Sequence, residues 1–150
     1  MEQYDAIIIG AGPAGLTAAI YLQRAGWRTV VLEAYVCGGQ MANTPEIENY
    51  PGYSRISGVE LSTSLYNQAV EQGARIEFDG VSAVRLYEAE KTVETQSGRA
   101  FRARAVIVAN GAKRRKLGIP GEEELAGRGV SYCATCDGGF YKGKHTLVVG

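Results

Sequence analysis

Apolar residues cluster in short runs near the start of this chain and spread into helical spacing between them. Tyr4 to Ile9 holds the run Ala6-Ile7-Ile8-Ile9 and reads as a buried strand. From Ala14 to Ala25 the pattern changes to a helix, with Ala14, Ala18, Leu22 and Ala25 on one face and Gly26 as its stop. Thr29 to Leu32 is a second strand. Strand, helix and strand in that order predict a parallel pair joined by a right-handed crossover.

Residues 34–56 keep no helical or strand period. Gly38-Gly39, Thr44-Pro45 and Tyr50-Pro51-Gly52 mark a long loop. Loops of that length in compact domains are commonly functional, and the aromatic and amide side chains here predict an ordered, ligand-facing one. Ser57 and Glu60 form a capping box ahead of a helix running to about Gln72, with Leu61, Leu65 and Ala69 on one face. Alternating segments follow at Arg75–Phe78, Val81–Tyr87, Thr92–Thr95 and Ala100–Ala103, the last two joined by a turn at residues 96–99. Two or three of them are expected to form a small antiparallel meander across one face of the parallel sheet. Ala105 to Ala109 reads as one more buried strand. Residues 117–121 read as a connector and 122–125 as a helical turn. Thr146 to Val149 predicts a fresh buried strand that opens a second βαβ unit.

Composition narrows the function classes. The 150 residues suit one medium domain, or one domain and part of another. Formal net charge is zero, so no bulk field draws the chain to nucleic acid or an acidic membrane. The one basic run, Lys113-Arg114-Arg115-Lys116, lacks aromatic neighbours and reads as a solvated loop. No stretch approaches the roughly 18 apolar residues of a membrane helix. The acidic N-terminus leads straight into a strand and is not a signal peptide. These features predict a cytoplasmic protein, in which a CxxC signals redox or metal chemistry.

Two motifs carry that chemistry. Gly10-Ala11-Gly12-Pro13-Ala14-Gly15 is GxGxxG between a strand and a helix. Gly10 permits the tight turn, Gly12 lets the backbone approach a pyrophosphate, and Gly15 lets helix and strand pack closely. Pro13 suits the first helical turn. Glu33, eighteen residues after Gly15, is placed to accept hydrogen bonds from a ribose and to repel a 2′-phosphate, so FAD or NAD fits this site better than NADP. The second motif is Cys133-Ala134-Thr135-Cys136-Asp137. Cys133 and Cys136 read as a redox pair in which one thiolate attacks and the other resolves. A zinc reading would need two further ligands, and Cys37 and His145 lack the short ligand spacing of a zinc half-site. Asp137 is either a proton donor and acceptor or a turn residue before Gly138-Gly139. Cys37 is expected to be a free thiol without a role.

Five collinear segments resemble the low-molecular-weight thioredoxin reductases of bacteria and archaea: the 10–15 fingerprint with Glu33; Gly38-Gly39-Gln40; residues 46–52; residues 117–122; and residues 133–138. The resemblance implies an α/β architecture. Residues 1–112 would form a Rossmann-like FAD-binding domain with a parallel sheet and a small antiparallel meander. Residues 113–150 would begin a second Rossmann-like, NADPH-binding domain that carries the redox cysteines. It further implies electron flow from NADPH through FAD and the disulfide to thioredoxin. Cys136 would lie on the flavin side, Cys133 would attack thioredoxin's disulfide, and Asp137 would act as the acid–base group. Gly39, Gln40 and Asn49 would contact the flavin side, and Ala109-Asn110-Gly111 would match an Ala-Thr-Gly element near FAD, with Asn110 in place of the usual Thr. The resemblance also implies a homodimer, the usual state of full-length members. The expected nicotinamide site falls after Gly150, so the chain is read as an N-terminal portion with no metal site. The alternatives are a flavoprotein subunit serving a peroxiredoxin, and an FAD-binding module without turnover.

Overall fold

The computed structural model describes residues 1–149, apart from the side chains of Thr135 and Cys136. The chain divides into two compact units, Met1–Gly111 and Ala112–Gly150.

The first unit is built on one six-stranded sheet. Its strands are β1 (Glu2–Ile9), β2 (Thr29–Glu33), β3 (Arg75–Phe78), β4 (Val81–Arg85), β5 (Lys91–Thr95) and β6 (Ala100–Val108), in the spatial order β3-β2-β1-β6-β5-β4. β1 pairs in parallel with both β2 and β6, and β2 with β3. Helices α1 (Pro13–Arg24) and α2 (Gly58–Glu71) supply the crossovers and pack on each other.

Alternation along the strands sorts the core into two faces. Ile8 and Val31 turn toward the helices and join Leu16, Ile20, Leu61 and Leu65. Ile7, Val30 and Leu32 turn the other way and join Tyr4, Val93, Phe101 and Ala103. Each fully buried Ile, Leu or Phe contributes about 1.5–3 kcal/mol relative to an exposed one, so β1 anchors both cores. The α2 start is the predicted capping box: the Ser57 hydroxyl accepts the Glu60 N–H and the Glu60 carboxylate accepts the Ser57 N–H.

The structure corrects several expectations. The buried stripe of α1 is Leu16, Ala19 and Ile20, while Ala14 and Ala25 are exposed. The core-facing stripe is shifted around the helix, led by Leu16 and Ile20, and Ala18 and Leu22 of the expected face lie half-buried at its margin. β3 belongs to the parallel part of the sheet. The meander β4-β5-β6 is joined to that sheet through β6 and, as expected, folds back across one face of it. Only Asp79 and Gly80 separate β3 from β4 although these are the outermost strands, Arg99 pairs with Glu77 of β3 at 2.6 Å, and Val93 and Phe101 share a core with Ile7, Val30 and Leu32. The segments 100–103 and 105–109 are one strand, in which exposed Arg102 and Arg104 alternate with buried Phe101 and Ala103. Its distal part is only half-buried: Ile107 and Val106 pack at the margins of the two cores, while Val108 is 62% exposed. Residues 34–56 are more ordered than an aperiodic stretch suggests. They hold a 3-10 segment (Gly39–Asn43) and a two-way bridge between Ile47 and Ile56, both too short to leave a period in the sequence.

In the second unit, Leu125 N–H bonds back to the Gly121 carbonyl in a single turn, and α3 (Ala134–Asp137) begins directly after Cys133, the first cysteine of the CxxC. The predicted strand at 146–149 does not form. A strand exists only through pairing, and Leu147 and Val148 have no strand beside them among the described residues.

Candidate functional site

The carboxyl ends of β1, β2 and β6 meet at one edge of the sheet. After β1 the chain builds outward to β2 and β3 on one side, while β6 returns on the other. Ligands of open α/β sheets bind at such a switch point. The fingerprint glycines sit there, each with a separate reason. Gly10 has φ +102°, and a Cβ on it would run into the Ala109 carbonyl oxygen. Gly15 touches the turn itself: a Cβ there would collide with the Gly10 carbonyl. Gly12 is different. A Cβ on it meets nothing within 4 Å, so the backbone lies open at that point.

Gly12 is also the N-cap of α1, with no side-chain cap, and Pro13 occupies the first turn. The early helical amides, Ala14 and Gly15 among them, therefore face outward with the positive end of the helix dipole behind them. This is a ready acceptor for a phosphate. The 38–43 loop closes over the same turn. Gly38 N–H bonds to the Ala11 carbonyl at 2.7 Å, and a Cβ on Gly39 would stand 3.6 Å from the Gly12 Cα. On its other side Gly38 presses on Ser62 of α2, leaving no room for a side chain. Ser62 is itself tied to the Gly58 carbonyl at 2.6 Å.

Glu33 ends β2 at this edge. Its Oε2 accepts the Ala11 N–H at 2.7 Å and its Oε1 accepts the Tyr35 N–H at 2.9 Å. The carboxylate thus joins the fingerprint turn to the following loop. It offers about four lone-pair sites, so capacity remains for a hydroxyl partner. Ala109 is placed by its N–H to the Ile9 carbonyl at 2.8 Å, and Gly111 follows with φ +66°. Gln40 lies in the 3-10 segment beside Gly39. Asn49 is exposed in the loop closed by the Ile47–Ile56 bridge. The open backbone at Gly12, the uncapped amides and the polar carboxylate fit a dinucleotide.

Cys37 is a free, half-buried thiol. Burial and then the nearby Glu33 carboxylate push it up to about 11, which leaves it protonated and inert at neutral pH. It borders an apolar groove of about 340 Å³ lined by Tyr35, Val36, Val59, Tyr66 and Phe78.

The second unit holds the other motif. Cys133 is disulfide-bonded. The side chain of Cys136 lies outside the described residues. Asp137 closes α3, its N–H bonding to the Cys133 carbonyl at 2.9 Å. Two features here escape the sequence. Glu122, only 3% exposed, accepts the amides of Leu117 (2.9 Å), Gly118 (2.6 Å) and Ile119 (3.3 Å), together with the Tyr132 hydroxyl. The Tyr132 hydroxyl and these amides hold its carboxyl down at about 2. It therefore clasps the 117–122 connector to the residue that precedes Cys133. Ser131 is the second, bonded to Asp137 and to Cys133. His145 and the Lys113–Lys116 run are exposed.

Known proteins agree with this pairing of motifs. The family model for pyridine nucleotide-disulphide oxidoreductase matches residues 4–150. A thioredoxin reductase of Bacillus subtilis is 52% identical over 98% of this chain and 46% of its own length. Among solved structures, a Lactococcus lactis thioredoxin reductase aligns with TM-score 0.77 and 48% identity, over 92% of this chain and 45% of its own. One from Streptococcus pyogenes aligns with TM-score 0.79 and 45% identity, over 93% and 45%. The chain thus spans about half the length of the relatives it matches.

Proposed function

The chain belongs to the pyridine nucleotide-disulphide oxidoreductase family, and on that premise we propose that it carries the flavin cradle and the redox cysteines of a thioredoxin reductase. One observation carries the reading: an open dinucleotide cradle at Gly12 and a disulfide at Cys133 occur in the same chain.

In this reading the amides after Gly12 hold the pyrophosphate of FAD, and Glu33 takes a ribose hydroxyl with its remaining lone pairs. Gly39, Gln40, Asn49, Ala109 and Gly111 serve the flavin side. FAD, when bound, supplies two-electron transfer between NADPH and the disulfide. The protein's residues do the rest. Once the pair is reduced, the Cys133 thiolate attacks a sulfur of thioredoxin's disulfide and displaces the other sulfur as a thiolate. The Cys136 thiolate then attacks Cys133 in the mixed disulfide, restores the Cys133–Cys136 bond and frees reduced thioredoxin. Asp137 moves the protons that the two cysteines exchange. Residues 1–112 belong to the FAD domain and 113–150 to the start of the NADPH domain. The working protein is a cytoplasmic homodimer. Among the described residues no helix is long and apolar enough to cross a membrane.

The test is turnover. Protein carrying this chain should reduce thioredoxin with NADPH, and Cys133→Ser should abolish that while leaving flavin reduction by NADPH intact. Undiminished thioredoxin reduction by Cys133→Ser would refute the assignment.

A further inference from the structure

The CxxC turn is bound to itself by a ring of hydrogen bonds that runs through a residue outside the motif. Ser131 Oγ lies 2.6 Å from Asp137 Oδ2, 3.1 Å from the Cys133 nitrogen and 3.3 Å from the Cys133 carbonyl oxygen. A hydroxyl has one hydrogen to give, and the short contact to a carboxylate wins it over a longer one to a neutral carbonyl. The Cys133 carbonyl already accepts the Asp137 N–H at 2.9 Å. The ring is then closed: Cys133 N–H donates to Ser131, Ser131 donates to Asp137, and the Asp137 N–H donates to Cys133.

We propose that Ser131 is a positioning residue for the redox pair, fixing the Asp137 carboxylate against the Cys133 end of the turn. This rests on Asp137 handling protons for the cysteines. A four-residue helix has little structure of its own to hold an aspartate rotamer. With Oδ2 engaged by Ser131, the carboxylate presents Oδ1, which has no partner among the described residues, for proton exchange. Without the hydroxyl the carboxylate is free to swing to solvent, since Ser131 is its one side-chain tether among the described residues. Glu122 supports the arrangement from outside by holding Tyr132, the residue between Ser131 and Cys133.

The test uses protein carrying this chain on a Cys37→Ser background. The pair is reduced with dithiothreitol, freed of reductant under nitrogen, and reoxidised by a small aromatic disulfide in a stopped-flow mixer. This needs neither NADPH nor thioredoxin. Asp137→Asn and Ser131→Ala should each slow reoxidation about tenfold. Ser131→Thr, which keeps the hydroxyl, should stay within about twofold of the parent. The double variant Ser131→Ala/Asp137→Asn should be no slower than Asp137→Asn, because both changes remove one interaction. A Ser131→Ala rate within about twofold of the parent, or effects that multiply in the double variant, would overturn the proposal. Should the kinetic pattern hold while thioredoxin goes unreduced, the assignment of function fails and the role of Ser131 stands.

Discussion

The Glu33 carboxylate reaches back to the fingerprint turn and accepts the Ala11 N–H at 2.7 Å, one residue before the open backbone of Gly12. The residue expected to meet a ribose therefore also shapes the phosphate loop. A hydrogen bond to a charged group is worth about 1.5–3 kcal/mol. Glu33→Ala should accordingly weaken FAD binding by about ten- to a hundredfold in a fluorescence-quenching titration. Glu33→Gln should lose less, since its carbonyl oxygen can still accept the Ala11 amide. Equal losses in the two variants would show that the tether to Ala11 does not matter.

Gly12 and Gly15 should part company on substitution. Alanine in a helix is ordinarily better than glycine by about 1 kcal/mol. At Gly15 that gain is reversed, because the new methyl strikes the Gly10 carbonyl and the backbone must move. Gly15→Ala should lower the thermal midpoint of the FAD-free protein. Gly12→Ala has open space and should lower that midpoint less, by only the modest penalty of alanine at an N-cap, while impairing FAD binding. Calorimetry with and without FAD separates the two.

Much of this site is legible in the sequence because its signals are local. The fingerprint spacing fixes a strand, a turn and a helix, and the Ser57–Glu60 box fixes the start of α2. What could not be read depends on distant residues meeting. The pressure of Gly38 on Ser62 requires the 3-10 segment and α2 to be in place. The burial of Glu122 requires Tyr132 to fold back over the 117–119 amides. The α1 stripe lies beside the evenly spaced series Ala14, Ala18, Leu22 and Ala25, because Leu16 and Ile20 carry more apolar area into the core than the alanines do. The segment 146–149 has strand composition, but composition alone does not pair it.

Glu122 makes the connector pH-sensitive. Its carboxyl is held at about 2 against an ordinary 4.5, so its clasp is fully present above pH 4.5 and is lost as pH falls toward 2. Amide-exchange protection at Leu117, Gly118 and Ile119 should fall across that window. Glu122→Ala, which removes the acceptor, should show low protection of the same amides already at neutral pH. Protection that is flat from pH 5 to 2 would contradict the clasp.

Cys37 should resist alkylation. With its thiol pushed up to about 11, the thiolate fraction at pH 8 is on the order of a hundredfold below that of a free cysteine. Iodoacetamide under reducing conditions should label Cys133 or Cys136 well before Cys37, as read by peptide mass spectrometry. Early labelling of Cys37 would show that burial does not protect it.

The central claim is that one protein joins a flavin cradle to a redox-active disulfide at Cys133. Anaerobic titration of the FAD-loaded protein with dithionite tests it by counting electrons. A flavin and an active disulfide together take up four electrons per chain, and Cys133→Ser should reduce that to two. Uptake of only two electrons by the unaltered protein would contradict the claim.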